Sequence, residues 1–186
     1  MAPSSIPAYD GPPQRWLDSS IARSVWRATT TVNGEPEEVM TAEIVHRIGI
    51  GAPPAQVYRV LATRSGLINW WTWHISGEPT LGGIFYARLS SGMFHMKVLE
   101  LAQDCLVRWK CTEGPKEWVD TEISFTLVPE DRETVVHFVH AGWLEKGDIM
   151  AHSNSKWGYY LFSLKGWVED GRGSPYPEDR KISSWG

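Results

Sequence analysis

The fold class this sequence predicts is α+β: a curved antiparallel sheet wrapped around one long C-terminal helix. Three patterns predict it. Residues 148–170 place apolar side chains at helical spacing along one side. Residues 72–142 break into segments of strand character joined by short turn clusters, as hairpin-linked antiparallel strands do. One strand-like run, 43–50, comes first and is followed by two short helical stretches, so helices are segregated from the main run of strands.

Taken in order, residues 1–15 carry Pro3, Pro7, Gly11, Pro12 and Pro13 among small polar residues. Such a composition buries too little surface to fix itself, and a flexible arm is expected. In 16–31, Trp16, Leu17, Ile21, Val25 and Trp26 suit a short amphipathic helix, whereas Thr29-Thr30-Thr31 favours extended chain. Asn33-Gly34 is a hairpin signal weakened by Pro36. After strand 43–50, Pro53-Pro54 opens a helix over 55–62 with Val57, Val60 and Leu61 on its apolar face, since proline loses no donor in a first turn. A second short helix covers 64–70. Strands follow at 72–76, 83–89, 93–101, 105–111, 118–128 and 134–142, separated by clusters such as Ser90-Ser91-Gly92 and Glu113-Gly114-Pro115. In the final helix, Ile149, Met150, Trp157, Tyr160, Leu161, Leu164, Trp167 and Val168 share roughly a third of the circumference, opposite Gly158, Lys165 and Glu169. Ser153 lies inside that stripe and Asn154 at its edge, where a buried polar group requires a partner or a ligand.

Composition narrows the function. A chain of 186 residues holds one domain with a substantial core, read here as 41–186 behind an extension of 1–40. The net charge of −4 offers no basic field for nucleic acid. No apolar run approaches the roughly 18–20 residues of a membrane span and no signal pattern opens the chain, so a cytoplasmic location is expected. Cys105 and Cys111, in one extended strand, would lie about 20 Å apart, beyond disulfide reach. No recognisable metal-ligand spacing, phosphate-cradling loop, dinucleotide fingerprint or serine elbow occurs, and no metal or cofactor is expected.

Strand alternation sorts the remaining candidates. Val107, Trp109 and Cys111 share one face, as do Val119, Thr121, Ile123 and Phe125, and Val136, Phe138 and His140; these are the inward sets. Arg108 with Lys110, and Asp120 with Glu122, then face water, where paired carboxylates are ordinarily a solvated surface rather than an acid/base pair. His140 is the candidate catalytic residue, since its unperturbed pKa near 6.5 suits proton transfer, although the more ordinary role of an imidazole on an apolar face is a core histidine bonded to a neighbouring strand or helix.

The order of elements comes with a set of local motifs: Ala52-Pro53-Pro54-Ala55-Gln56-Val57-Tyr58, Trp70-Trp71, Gly82-Gly83, Val107-Arg108-Trp109-Lys110-Cys111, Gly114-Pro115-Lys116-Glu117-Trp118, Phe138-Val139-His140-Ala141-Gly142-Trp143 and the run from Lys156 to Lys165. Together they resemble the SRPBCC (START-like, helix-grip) superfamily, and within it bacterial proteins related to the C-terminal domain of the heat-shock-chaperone ATPase activator. The resemblance spans 41–186. It implies a helix-grip fold, which brings Trp70, Trp71, Trp109, Trp118 and Trp157 from separate elements around one cavity, with Met93 and Met96 as adaptable lining. The expected ligand-binding set is Trp71, Met96, Trp109, Trp118, Thr121, Phe138, His140, Ser153, Asn154, Trp157 and Tyr160. A carrier or sensor for a small hydrophobic or aromatic molecule is the first reading. A cyclase, aromatase or dehydratase using His140 with Ser153 or Asn154 is the second, and a chaperone-activating partner module the third. Phe162 and the 16–26 segment are candidates for a homodimer contact, and Trp185 for tucking the tail against the domain.

Overall fold

The computed structural model describes residues 28–32, 35–39 and 41–184. The expected arm, the helical reading of 16–27, the Asn33-Gly34 turn and the tucking of Trp185 fall outside these residues. β1 (Ala28–Val32) and β2 (Glu35–Val39) pair antiparallel, with Val32 opposite Glu35. Extended chain, not helix, therefore occupies the Thr29-Thr30-Thr31 stretch.

The main sheet follows. β3 (Ala42–Ile50) leads into α1 (Pro54–Ala62) and α2 (Arg64–Leu67), then β4 (Ile75–Ser76), β5 (Ile84–Leu89), β6 (Gly92–Ala102), β7 (Leu106–Glu113), β8 (Glu122–Glu130), β9 (Glu133–Trp143) and α3 (Asp148–Asp170). Seven antiparallel strands lie in the order β3-β9-β8-β7-β6-β5-β4, so the first strand joins the last and every other neighbour is a sequential hairpin. This sheet, its long C-terminal helix and the two short helices after β3 are the helix-grip arrangement expected from the sequence.

Local chemistry explains each helix. Pro54 sits at the start of α1, where a missing N–H costs nothing, and Val57, Val60 and Leu61 form its buried side. Thr63 caps α2 by accepting from the Gly66 N–H. Of the α3 stripe, Trp157, Tyr160, Leu161, Leu164 and Val168 are buried against the sheet, and Gly171, with φ of 69°, ends the helix in the left-handed region glycine favours.

Three boundaries differ from expectation by more than two residues. The 64–70 helix stops at Leu67, and the Trp70 and Trp71 N–H groups turn back to Leu67 O. The 72–76 strand shortens to Ile75–Ser76 because Thr72 instead bridges Tyr176 of the returning tail. The 118–128 strand begins only at Glu122. Trp118 N–H bonds Pro115 O and Thr121 N–H bonds Trp118 O, so two successive turns occupy this stretch, with Asp120 at φ 68°. Val119 accordingly projects to solvent, 38% exposed, rather than joining Thr121, Ile123 and Phe125 inside.

The core is aromatic. Trp71 stacks on Trp109 (5.7 Å between centroids, 16° between planes) and on Trp157 (5.8 Å, 26°), while Phe125 meets Trp109 edge-on at 5.2 Å. Each such pair contributes about 0.5–1.5 kcal/mol beyond the burial of its area. After α3 the chain returns along the helix as a strap. Ser174 N–H donates to Ser163 Oγ, Tyr176 N–H to Trp71 O, and Trp73 N–H to Tyr176 O. Gly173 makes the approach feasible, since a Cβ there would stand 1.8 Å from Asn69 O.

Candidate functional site

A cavity of about 270 Å³ lies between the sheet and the N-terminal half of α3. Its walls are Trp71, Leu89, Phe94, Pro115, Trp118, Ile149 and Trp157; Ser90, Ser91, His152, Ser153, Lys156 and Tyr160 supply its polar groups. Each wall arrives by a different route. Phe94 is on the buried side of β6, Trp118 comes from the turns before β8, and Trp157 and Tyr160 project from α3.

A hydrogen-bonded chain behind the wall fixes the two central indoles. Indole nitrogen only donates, so Trp157 Nε1–H gives its proton to His140 Nδ1 at 3.0 Å, which sets the tautomer with hydrogen on Nε2. That Nε2–H donates to Thr121 Oγ1 at 2.8 Å, and the Thr121 hydroxyl donates onward to Trp118 O at 2.6 Å. Trp118 Nε1–H donates to Ser153 Oγ at 3.2 Å, and Trp143 Nε1–H to His140 O at 3.1 Å. His140 is fully buried, and the loss of water lowers its pKa to about 3. It is a neutral anchor with both ring nitrogens engaged.

A second polar group closes the rim. Lys156 Nζ lies 2.6 Å from Asp179 Oδ2 and donates to Arg180 O at 3.0 Å, and Tyr160 OH donates to the same Asp179 oxygen at 2.8 Å. The Lys156 and Asp179 side chains are only 12% and 6% exposed. Burial first, then the bond to Asp179, raises the Tyr160 pKa, so the phenol keeps its proton. At the same rim, partial burial and the Lys156 charge both lower the His152 pKa, leaving a neutral imidazole near pH 7. The cavity thus presents flat apolar surfaces, hydroxyls and one compensated ion pair. Of its three indoles, Trp71 alone has an N–H with no protein partner.

The residues expected from sequence divide into three groups. Trp71, Trp118, Ser153, Trp157 and Tyr160 line the cavity. Met96, Trp109, Thr121, Phe138 and His140 are fully buried behind it, in the core of the sheet. Asn154 is exposed and borders a separate shallow groove with Glu43, Val45, Lys146 and Met150, because the α3 stripe turns away one residue after Ser153. Met93, at 36% exposure, does not line the cavity. Asp120 and Glu122 are held in surface pairs with Lys110 and Arg108. Sequence reasoning missed Phe94, Lys156 and Asp179. The first two carried a signal, since Phe94 alternates with Met96 and Lys156 lies one helical turn from Ser153. Asp179, in an irregular tail, carried none.

Among the described residues no cluster of His, Cys, Asp or Glu has a metal-binding arrangement, and no helix is long and apolar enough to cross a membrane.

Comparison with known proteins adds three results. Residues 51–169 match the family model described as Activator of Hsp90 ATPase homolog 1-like protein. Among solved structures, the Aha1 dimer from Colwellia psychrerythraea is 41% identical, over 71% of this chain and 99% of that one, with a TM-score of 0.67. CalU16 from Micromonospora echinospora is 19% identical over 82% of this chain and 86% of its own (TM-score 0.59). DynU16, from the dynemicin biosynthetic locus, is 17% identical over 74% of this chain and 49% of its own (TM-score 0.59). The last two likenesses concern the fold alone. No match is found among curated proteins.

Proposed function

The chain belongs to the Activator of Hsp90 ATPase homolog 1-like family of the SRPBCC superfamily, and from that premise we propose that it binds a small, flat hydrophobic or aromatic molecule in the cavity beneath α3. One observation carries this reading. The Trp118 and Trp157 N–H groups are bonded within the protein, so these two indoles are held in place as wall surfaces. At about 270 Å³, the space suits a compact ring system. Residues 41–186 are the binding domain in this reading, 1–40 an extension to it, and the cytoplasm its location. Native mass spectrometry of protein purified without added ligand, followed by titration of tryptophan fluorescence with 1-naphthol, tests it. Saturable quenching that is lost in Ser153→Leu supports the proposal; an unchanged spectrum counts against it.

A partner-binding role is the second reading, favoured by the 41% identity to Aha1 along nearly all of that chain. Stimulation of Hsp90 ATP hydrolysis by the purified protein tests it directly, and absence of both binding and stimulation removes it. A self-associating chain is consistent with the same relative, whose structure is a dimer. The cyclase, aromatase or dehydratase reading draws little support from the geometry, because His140 lies behind Trp118 and Trp157 with no free nitrogen.

A further inference from the structure

The sheet ends at β3, and ladder parity identifies the backbone groups left over there. Cys111 N–H donates to Thr121 O and Leu127 N–H to Cys105 O, so odd-numbered residues of β8 bond toward β7. Constant registers, with Ser124 opposite Val139 and Val139 opposite Val45, carry the alternation across the sheet. Even-numbered residues of β8 bond odd-numbered residues of β9, and even-numbered residues of β9 bond those of β3. The N–H and C=O groups of Glu43, Val45, Arg47 and Gly49 therefore point away from the sheet. Lys165 Nζ, donating to Gly49 O at 2.7 Å, covers that end. Among the described residues, the stretch 42–48 is left, with Val45 at its centre, 59% exposed, between exposed Glu43 and Arg47.

We propose that this edge is a homodimer contact in which two copies of β3 pair antiparallel through 42–48 about a two-fold axis at Val45. The proposal rests on the self-association suggested above and adds its surface and register. Parity restricts the pairing, because only odd-numbered residues can exchange backbone bonds across the axis. With the axis at Val45, Glu43 faces Arg47 of the partner subunit, twice by symmetry, and Val45 meets Val45 of the partner subunit. Moving the axis one residue, to Ile44 or His46, sets these residues opposite Val45, Thr41 or Gly49, with no opposite charge facing them across the axis. Charge complementarity thus selects one register. The present Arg47 bond to Glu130, between side chains 55% and 49% exposed, is a surface pair that exchanges at little cost. A nine-residue edge strand without proline is otherwise a liability to be covered.

Sedimentation equilibrium of the full chain tests the proposal with Glu43→Arg, Arg47→Glu and the double swap, their folding checked by circular dichroism. Each single reversal turns two attractive pairs into two repulsive ones and weakens the dimer about tenfold or more. The double swap restores it, and an equimolar mixture of the two single variants forms a heterodimer tighter than either homodimer. A chain monomeric at every concentration overturns both this inference and self-association. A dimer indifferent to all three variants overturns the edge and its register alone, and directs attention to other surfaces such as Phe162, 70% exposed on α3.

Discussion

Acid should unfold this protein through His140. The imidazole is fully buried, faces the rings of Trp118, Trp143 and Trp157 with no ionisable neighbour among them, and has its pKa lowered to about 3. Above pH 6.5 it is neutral whether the chain is folded or not, and full stability is present. Below 6.5 the unfolded chain takes up a proton that the folded chain refuses, so stability falls with pH until the folded value is reached near 3. The loss from this residue alone is about 2 kcal/mol at pH 5 and about 3 kcal/mol at pH 4. Urea unfolding at a series of pH values, comparing the protein with His140→Gln, isolates it. Glutamine can accept from Trp157 and donate to Thr121 without titrating, and the carboxylates cancel in the difference. The variant is expected to be the less stable near pH 7.5, and its deficit to shrink by about 2 kcal/mol at pH 5. A deficit constant to within about 0.5 kcal/mol across that range would refute a buried, neutral His140.

Asp179 ties the end of the strap to α3, so Asp179→Ala removes the carboxylate partner of Lys156 and the Tyr160 acceptor; a loss of about 3 kcal/mol is expected, with faster tryptic cleavage after Arg180 and Lys181. Gly173→Ala forces a backbone shift against Asn69 O and should lower Tm by about 10 °C in calorimetry. Burial pushes the Cys111 thiol up to about 12, so Ellman's reagent near pH 8 should titrate one thiol, Cys105, in the native protein and two in denaturant. Ser153→Ala leaves Trp118 Nε1 buried without a partner, which costs about 1–3 kcal/mol by urea unfolding with the cavity otherwise intact.

Local repetition is the part of this protein that can be read from its sequence. The spacing of Trp157, Tyr160, Leu161, Leu164 and Val168 identifies the buried face of α3, and the alternation of Val107, Trp109 and Cys111 that of β7, because chain geometry fixes those periods before any packing occurs. Pro53-Pro54 and the turn clusters mark where elements begin and end for the same reason, and the motif resemblance adds the way the elements assemble. Trp118 shows the limit. The strand character of 118–128 would put Trp118 on the face opposite Thr121 and Ile123, but the turn bonds from Pro115 to Thr121 override it, and the ring reaches the cavity from a loop.

What separates a cavity residue from a core residue is where the sheet's curvature leaves space, which no local period encodes. Trp109 and Trp71 look equivalent in sequence and stack on each other, yet only Trp71 borders the opening. In sequence His140 reads first as a core histidine and second as a catalytic base, and contacts from Trp157 and Thr121, 17 and 19 residues away, make it the anchor. Asp179 lies in a tail without periodicity, and it meets Lys156 and Tyr160 only because the chain turns back at Gly171 and lies along α3. The sequence by itself determines which faces must be buried, since burial follows from the side chains. The tertiary structure alone decides what each face is buried against, since that depends on distances between elements far apart in the chain.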